Sequence, residues 1–129
     1  MCHLDAGMTE QGLRELGAAD LDLAILENVG NLVCPAEFDT GAVKNVAILS
    51  VPEGHDKPLK YPLMFEVCQA LIINKIDVLP YFDFNMDKVR EFAHKRNPDI
   101  EIFPISAKTG EGVDAWCNWL EAQVRAWNE

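Results

Sequence analysis

The stretch Ala70-Leu71-Ile72-Ile73-Asn74-Lys75-Ile76-Asp77 decides the fold. It is apolar without interruption up to Asn74 and far too short for a helical pattern, which is the signature of a strand covered on both faces. Working outward, Pro62 opens a short helix containing Leu63, Met64, Phe65 and Val67. On the other side, Asp83 and Asn85 are candidate caps for a helix over Met86–Arg96, with Val89, Phe92 and Ala93 on one face. Asn97-Pro98 stops that helix. A strand over Ile100–Ile105 follows, then a helix from about Val113 to Trp127. Its Val113, Trp116, Cys117, Leu120, Val124 and Trp127 form a stripe suited to packing on a sheet. Nearer the amino terminus, Val43–Val51 is rich in β-branched residues and reads as a strand. Leu21–Leu26 reads as another strand, and Met8–Leu16 as a short helix capped by Thr9 and stopped by Gly17, with Gly12 a cost inside it. Asp39-Thr40-Gly41 and the segment Pro52–Pro58 are loops. Strands alternating with helices predict an α/β fold with a mostly parallel sheet flanked by helices.

The whole chain sets bounds on function. Its 129 residues suit a single domain with a real core. A net charge of −10 argues against a nucleic-acid partner, because phosphate backbones select basic surfaces. No apolar run approaches the roughly 18 residues of a membrane span, and Met1-Cys2-His3-Leu4-Asp5 lacks a signal-peptide layout, so a cytoplasmic protein is expected. In that compartment the four cysteines read as thiols or metal ligands before disulfides. Cys68 and Cys117 are expected to be buried as small hydrophobes.

Chemistry concentrates where strands end. After the Leu21–Leu26 run come Glu27, Gly30 and Cys34 before Pro35. An acid at the carboxyl end of a parallel strand lies where open α/β sheets bind ligands. A Gly just beyond lets the backbone approach a phosphate, and a thiol suits a soft metal. Cys2, His3 and Cys34 together offer two thiolates and an imidazole, a set fit for Zn²⁺ or Ni²⁺. No C-x-x-C pair is present, however, and isolated cysteines are more often core residues.

Asn74-Lys75-Ile76-Asp77 resembles the N-K-x-D guanine-recognition motif of GTP-binding proteins. A carboxylate at Asp77 accepts from both donors on the guanine edge, a pair that adenine lacks. The Lys75 stem can lie along the base, and Asn74 would tie neighbouring loops together. Alone, such a tetrapeptide could equally be a polar turn. Ser106-Ala107-Lys108-Thr109-Gly110, after the next strand and one helix, resembles the second base-binding loop of the same proteins. There the Ala107 N–H would donate to the guanine carbonyl. With two motifs in order at two strand ends, Glu27-Asn28-Val29-Gly30 reads as a variant D-x-x-G. Glu27 would hold Mg²⁺ through water and the Gly30 amide would sense the γ-phosphate; the bland alternative is a solvated strand-end acid.

Cys2–Ala6, Glu27–Pro35, Pro52–Pro62, Asn74–Asp77 and Ser106–Gly112 together resemble the hydrogenase nickel-incorporation GTPases, the HypB family, over essentially the whole chain. The urease accessory GTPases are a poorer match, since their metal ligands follow a Cys-Pro-His arrangement. The resemblance implies a P-loop NTPase-like G domain binding GTP/GDP with Mg²⁺, and a nickel or zinc site of Cys2, His3 and Cys34 where two subunits meet. It implies that Lys60 reaches the γ-phosphate of the partner subunit, and that Asn74, Lys75, Asp77, Ser106, Ala107 and Lys108 hold the base. The implied partners are a second copy, joined through the metal-site and switch face, a nickel-binding accessory protein and the large subunit of [NiFe] hydrogenase. One element departs from the pattern. No G-x-x-x-x-G-K-[ST] occurs in residues 1–129, and the β-phosphate cradle goes with it. The chain is therefore read as the carboxyl-terminal part of such a domain, from a truncated gene product or a misplaced start. Two outcomes follow: a piece of a GTP-hydrolysing nickel metallochaperone, or a metal- and guanine-binding module without turnover.

Overall fold

The structure, a computed structural model, describes residues 6–27 and 40–128. Its chain divides into two units, Met1–Val43 and Lys44–Glu129. In the first, helix α1 spans Ala6–Leu16, starting earlier than Thr9 would have capped it, and a single 3₁₀ turn spans Ala18–Asp20. None of the α1 side chains is buried. The expected strand over Leu21–Leu26 is not formed. Residues 21–27 carry no regular structure, and Leu21, Leu23, Ile25 and Leu26 are exposed, Ile25 at 77%. An apolar run becomes a strand only when its backbone groups find a ladder, and every strand among the described residues lies in the second unit.

That second unit is built on β1 (Val46–Ser50), β2 (Ala70–Asn74) and β3 (Glu101–Pro104), all parallel in the order β1-β2-β3. Helices α2 (Lys57–Lys60) and α3 (Pro62–Val67) cross from β1 to β2, and α4 (Met86–Arg96) crosses from β2 to β3. Both crossovers step in the same direction. Right-handed connections therefore put α2, α3 and α4 on one face of the sheet. The side chains sharing that face (Ala47 and Leu49 of β1, Leu71 and Ile73 of β2) are buried, as are Phe65 of α3 and Val89 and Ala93 of α4. Each such side chain contributes on the order of 2 kcal/mol, so this layer is the core. The N-cap of α4 is Asn85, whose side chain accepts from the Lys88 amide at 3.0 Å. Asp83, the other candidate, lies outside the helix.

The last helix, α5 (Val113–Asn128), takes the opposite face. Phe103 of β3 meets Trp116 edge-on at 5.4 Å between ring centroids and Trp119 at 5.9 Å, and the two tryptophans stack at 5.4 Å. This corrects the expected stripe. Trp119 joins Trp116 against the sheet, whereas Cys117 is exposed and Trp127 is 70% exposed. The helix covers β3 and β2 but does not reach β1, whose Ile48 shares its face with Ile72 and Phe103 yet remains 61% exposed. No helix of the described residues is long and apolar enough to cross a membrane.

Asn97, just past α4, joins the two crossovers. Its Nδ2 donates to the carbonyls of Phe65 (3.3 Å) and Cys68 (2.6 Å), which the end of α3 leaves without helical donors. Asn97→Ala should destabilise the chain by about 1–3 kcal/mol, the cost of orphaning buried acceptors. A fall in the urea midpoint at unchanged m would show it.

The two described thiols should behave oppositely. Burial pushes Cys68 up from 9.0 to about 12, because the thiolate would lose its water. At pH 8 N-ethylmaleimide should label Cys117 at once and Cys68 only on unfolding, as read by peptide mass mapping. By the same linkage, above pH 9 the unfolded thiol releases a proton that the folded one keeps, so Cys68 makes stability fall as pH rises towards 12.

Candidate functional site

The carboxyl ends of β2 and β3 lie side by side, and the residues that follow them are tied into one structure. After Asn74 the chain turns through Lys75, the one described non-glycine residue with positive φ (65°), and enters a 3₁₀ helix, Ile76–Tyr81. A left-handed lysine costs about 1–2 kcal/mol, so the packed surroundings must hold it. They do so through backbone bonds: the Ile76 amide donates to Ile105 O at 3.1 Å, and the Ile105 amide to Ile73 O at 2.8 Å. Asp77 is thereby placed in the first turn beside Ser106.

Ser106 is the hub. It is completely buried, its hydroxyl donates to Asp77 Oδ1 at 2.8 Å, and Ser106 Oγ itself accepts from the Thr109 amide at 3.1 Å. Its backbone closes the following loop, with Gly110 N donating to Ser106 O (2.8 Å) and Ser106 N to Glu111 O (2.9 Å). The second tie runs the other way across the gap: the Ala107 amide donates to Asn74 Oδ1 at 3.0 Å. The amide that sequence reasoning directs at the guanine carbonyl is thus engaged by Asn74, which joins the loops as expected. Asp77 keeps one carboxylate oxygen, Oδ2, that accepts no hydrogen bond among the described residues. Lys75, Ala107 and Lys108 are exposed around it. The arrangement offers a half-buried carboxylate with a free oxygen, an exposed small residue beside it and two flanking lysines. That set fits a planar ligand with adjacent donors on one edge, the guanine base among them.

Lys60 ends the short helix α2 in the polar loop, a helix hidden from sequence reasoning by the turn formers around it. Asp56 N-caps that helix, and its Oδ2 pairs with Lys60 Nζ at 3.0 Å. The hydrogen bond from Lys60 holds the Asp56 carboxyl below its ordinary value. Lys57 lies over the Tyr61 ring at 5.6 Å. Glu27 is exposed at the end of the described part of the first unit, while the loops after β2 and β3 belong to the second. Gly30, Cys2, His3 and Cys34 lie outside the described residues. Among the described residues no three His, Cys, Asp or Glu side chains gather into a metal site.

A family model for the CobW/HypB/UreG nucleotide-binding domain matches residues 1–104. Hydrogenase maturation factor HypB of Escherichia coli K12 is 52% identical over 122 residues, covering 95% of this chain and 42% of its own length. Hydrogenase/urease maturation factor HypB of Helicobacter pylori J99 is 44% identical over 128 residues, with 96% of this chain and 53% of its own length covered. The chain thus spans about half or less of these relatives. Among solved structures, HypB from Helicobacter pylori in complex with nickel superposes with a TM-score of 0.90 at 42% identity, covering 98% of this chain and 60% of that one. HypB from Archaeoglobus fulgidus gives a TM-score of 0.87 at 37% identity, covering 94% and 64% respectively.

Proposed function

Because the chain belongs to the CobW/HypB/UreG nucleotide-binding family, we propose that it is the guanine-recognising part of a nickel metallochaperone that couples GTP binding and hydrolysis to nickel delivery during [NiFe] hydrogenase maturation. The observation that carries this reading is the 2.8 Å bond from Ser106 Oγ to Asp77 Oδ1, which makes one site of two separate motifs. Asp77 Oδ2 then faces the base edge, Lys75 and Lys108 flank the ring, and Asn74 passes the Ala107 amide to the guanine carbonyl by a side-chain rotation. Glu27 and Gly30 serve Mg²⁺ and the γ-phosphate, and Lys60 reaches the γ-phosphate of a second copy. Mg²⁺ would neutralise charge on the phosphates. Cys2, His3 and Cys34 hold the nickel cargo, with Zn²⁺ the competing occupant of the same soft set. In support, the HypB structure from Helicobacter pylori that superposes on this chain is a complex with nickel.

The partners proposed are a second copy through the metal-site and switch face, a nickel-binding accessory protein and the hydrogenase large subunit, all in the cytoplasm. Turnover needs a phosphate cradle, and residues 1–129 contain no G-x-x-x-x-G-K-[ST] to make one. The reading for the chain by itself is therefore base binding with little hydrolysis. Calorimetric titration tests it. GDP should bind more tightly than ADP by at least about 100-fold, since a site that hydrogen-bonds donors leaves its own polar groups unpaired against a competitor that lacks them. Equal affinities would exclude guanine recognition, and GTP turnover with Mg²⁺ would exclude the non-hydrolysing form.

A further inference from the structure

We propose that His55 is a positioning residue: its imidazole fastens the loop that carries Asp56 and Lys60 to the amino-terminal end of α4, and so fixes where the Lys60 ammonium stands. The Asn85 amide donates to His55 Nδ1 at 3.1 Å, across thirty residues of sequence. Since the backbone can only donate, Nδ1 must accept, which selects the tautomer with its proton on Nε2. The ring also sets its edge against Phe84, 6.0 Å between centroids at 81°. Both contacts lie on the wall formed by the polypeptide that leaves Asp77. There the Phe82 amide donates to Leu79 O at 3.3 Å and Phe84 N to Phe82 O at 3.0 Å, while the Asn85 side chain caps α4. The helix cap leaves the Asn85 amide without a helical partner, and His55 supplies one.

One peptide separates His55 from Asp56, and Asp56 holds Lys60 at both ends. Asp56 O accepts from the amides of Leu59 (3.0 Å) and Lys60 (3.2 Å), while Oδ2 takes the ammonium at 3.0 Å. The ion pair does not organise itself. Its side chains are 59% and 43% exposed, and water screens such pairs so well that they fix little by themselves. Its geometry must come from the backbone. The body of α2 has another anchor, since Pro58 is buried and its carbonyl accepts from Arg96 Nε at 3.4 Å. That anchor leaves the start of the helix, residue 56, to be fixed by something else. His55 is the side chain adjacent to residue 56 that reaches another element.

The structural claim concerns only these described residues; its bearing on catalysis rests on the reading of Lys60 given above. The test is amide hydrogen exchange of the ¹⁵N-labelled chain, with the Asp56 carboxyl titration followed by NMR. Two variants separate acceptor from ring. His55→Ala removes both, whereas His55→Asn puts an oxygen where Nδ1 stood and loses only the ring. In His55→Ala the amides of Asn85, Leu59 and Lys60 should exchange faster by about tenfold, as local protection is lost. The Asp56 carboxyl should move back up towards its ordinary value. Core amides such as Ile72 and Ile73 should be unchanged, and His55→Asn should restore both effects. Faster exchange at Asn85 alone, with Leu59, Lys60 and Asp56 unmoved, would show a local contact and overturn the proposal. So would a His55→Asn variant that behaves like His55→Ala. A Lys60→Ala variant whose ratio of GTP to GDP affinity equals that of the parent chain would refute the reading of Lys60 at the γ-phosphate while leaving the His55 clasp standing.

Discussion

Asp77→Asn should cost the chain about 100-fold or more in GDP affinity and turn its preference towards xanthosine diphosphate, because a charged acceptor contributes roughly 1.5–3 kcal/mol per hydrogen bond. The orientation of the new side chain follows from its neighbour. Ser106 Oγ donates to Asp77 Oδ1 at 2.8 Å, and that hydroxyl is completely buried. It needs an acceptor, so the amide oxygen of Asn turns to Ser106 and the NH₂ group turns to the base. There it meets two donors on guanine. Xanthine replaces the exocyclic amine by a carbonyl, which accepts from that NH₂. The substitution therefore keeps the tie between the loops and matches xanthine at the 2-position, where guanine now opposes donor to donor; the ring N–H is common to both bases. Ser106→Ala does the reverse, removing the tie and leaving the carboxylate, and should weaken GDP without altering the base preference. Fluorescence titration with GDP and xanthosine diphosphate separates the two. An Asp77→Asn chain that held GDP as before would remove Asp77 from the base site.

Those two motifs were legible because each lies within a few residues of an apolar strand, and a strand apolar on both faces leaves little choice of surroundings. The same holds for α4, whose bounds at Met86 and Arg96 and whose Asn85 cap are written locally. What was not legible depends on distant partners. Leu21–Leu26 has the composition of a strand, but composition cannot say whether a ladder is available, and no described strand pairs with it. The apolar stripe of α5 is wide enough to be read in two rotations. The structure selects the one with Trp119 because Phe103 offers a ring at that place. Lys57–Lys60 is surrounded by prolines and charges that favour a loop reading, yet the Asp56 carbonyl accepts from the Leu59 and Lys60 amides and closes the turn. The bond from Asn85 to His55 spans thirty residues and leaves no local trace at all. The engagement of the Ala107 amide by Asn74 is likewise a relation between two loops, visible only once β2 and β3 are side by side.

The loop that follows Ser106, beside the proposed base site, sets the last expectation: Gly112→Ala should destabilise the chain by about 3 kcal/mol or more and detach the Ser106 loop, as unrelievable backbone clashes do. Gly112 has a φ of +77°, and a Cβ built there would stand 2.2 Å from Pro104 O and 3.3 Å from Ile105 Cα. Neither atom can yield, since both are backbone at the end of a strand whose next amide is bonded to Ile73 O. The chain must instead move residue 112. Its neighbour Glu111 supplies the carbonyl that accepts from Ser106 N at 2.9 Å, so the displacement reaches the hydroxyl that orients Asp77. Gly110→Ala provides the comparison. Gly110 also has positive φ, +86°, but nothing lies within 4 Å of its Cβ position. It should lose only the conformational strain, about 1–2 kcal/mol. Urea unfolding of the two variants gives the stability difference, and GDP titration shows whether it reaches the site. Equal losses would mean that β3 and the loop do not approach this closely; an excess at Gly112, with GDP affinity falling in step, would make the close approach the feature that holds the base-reading carboxylate in place.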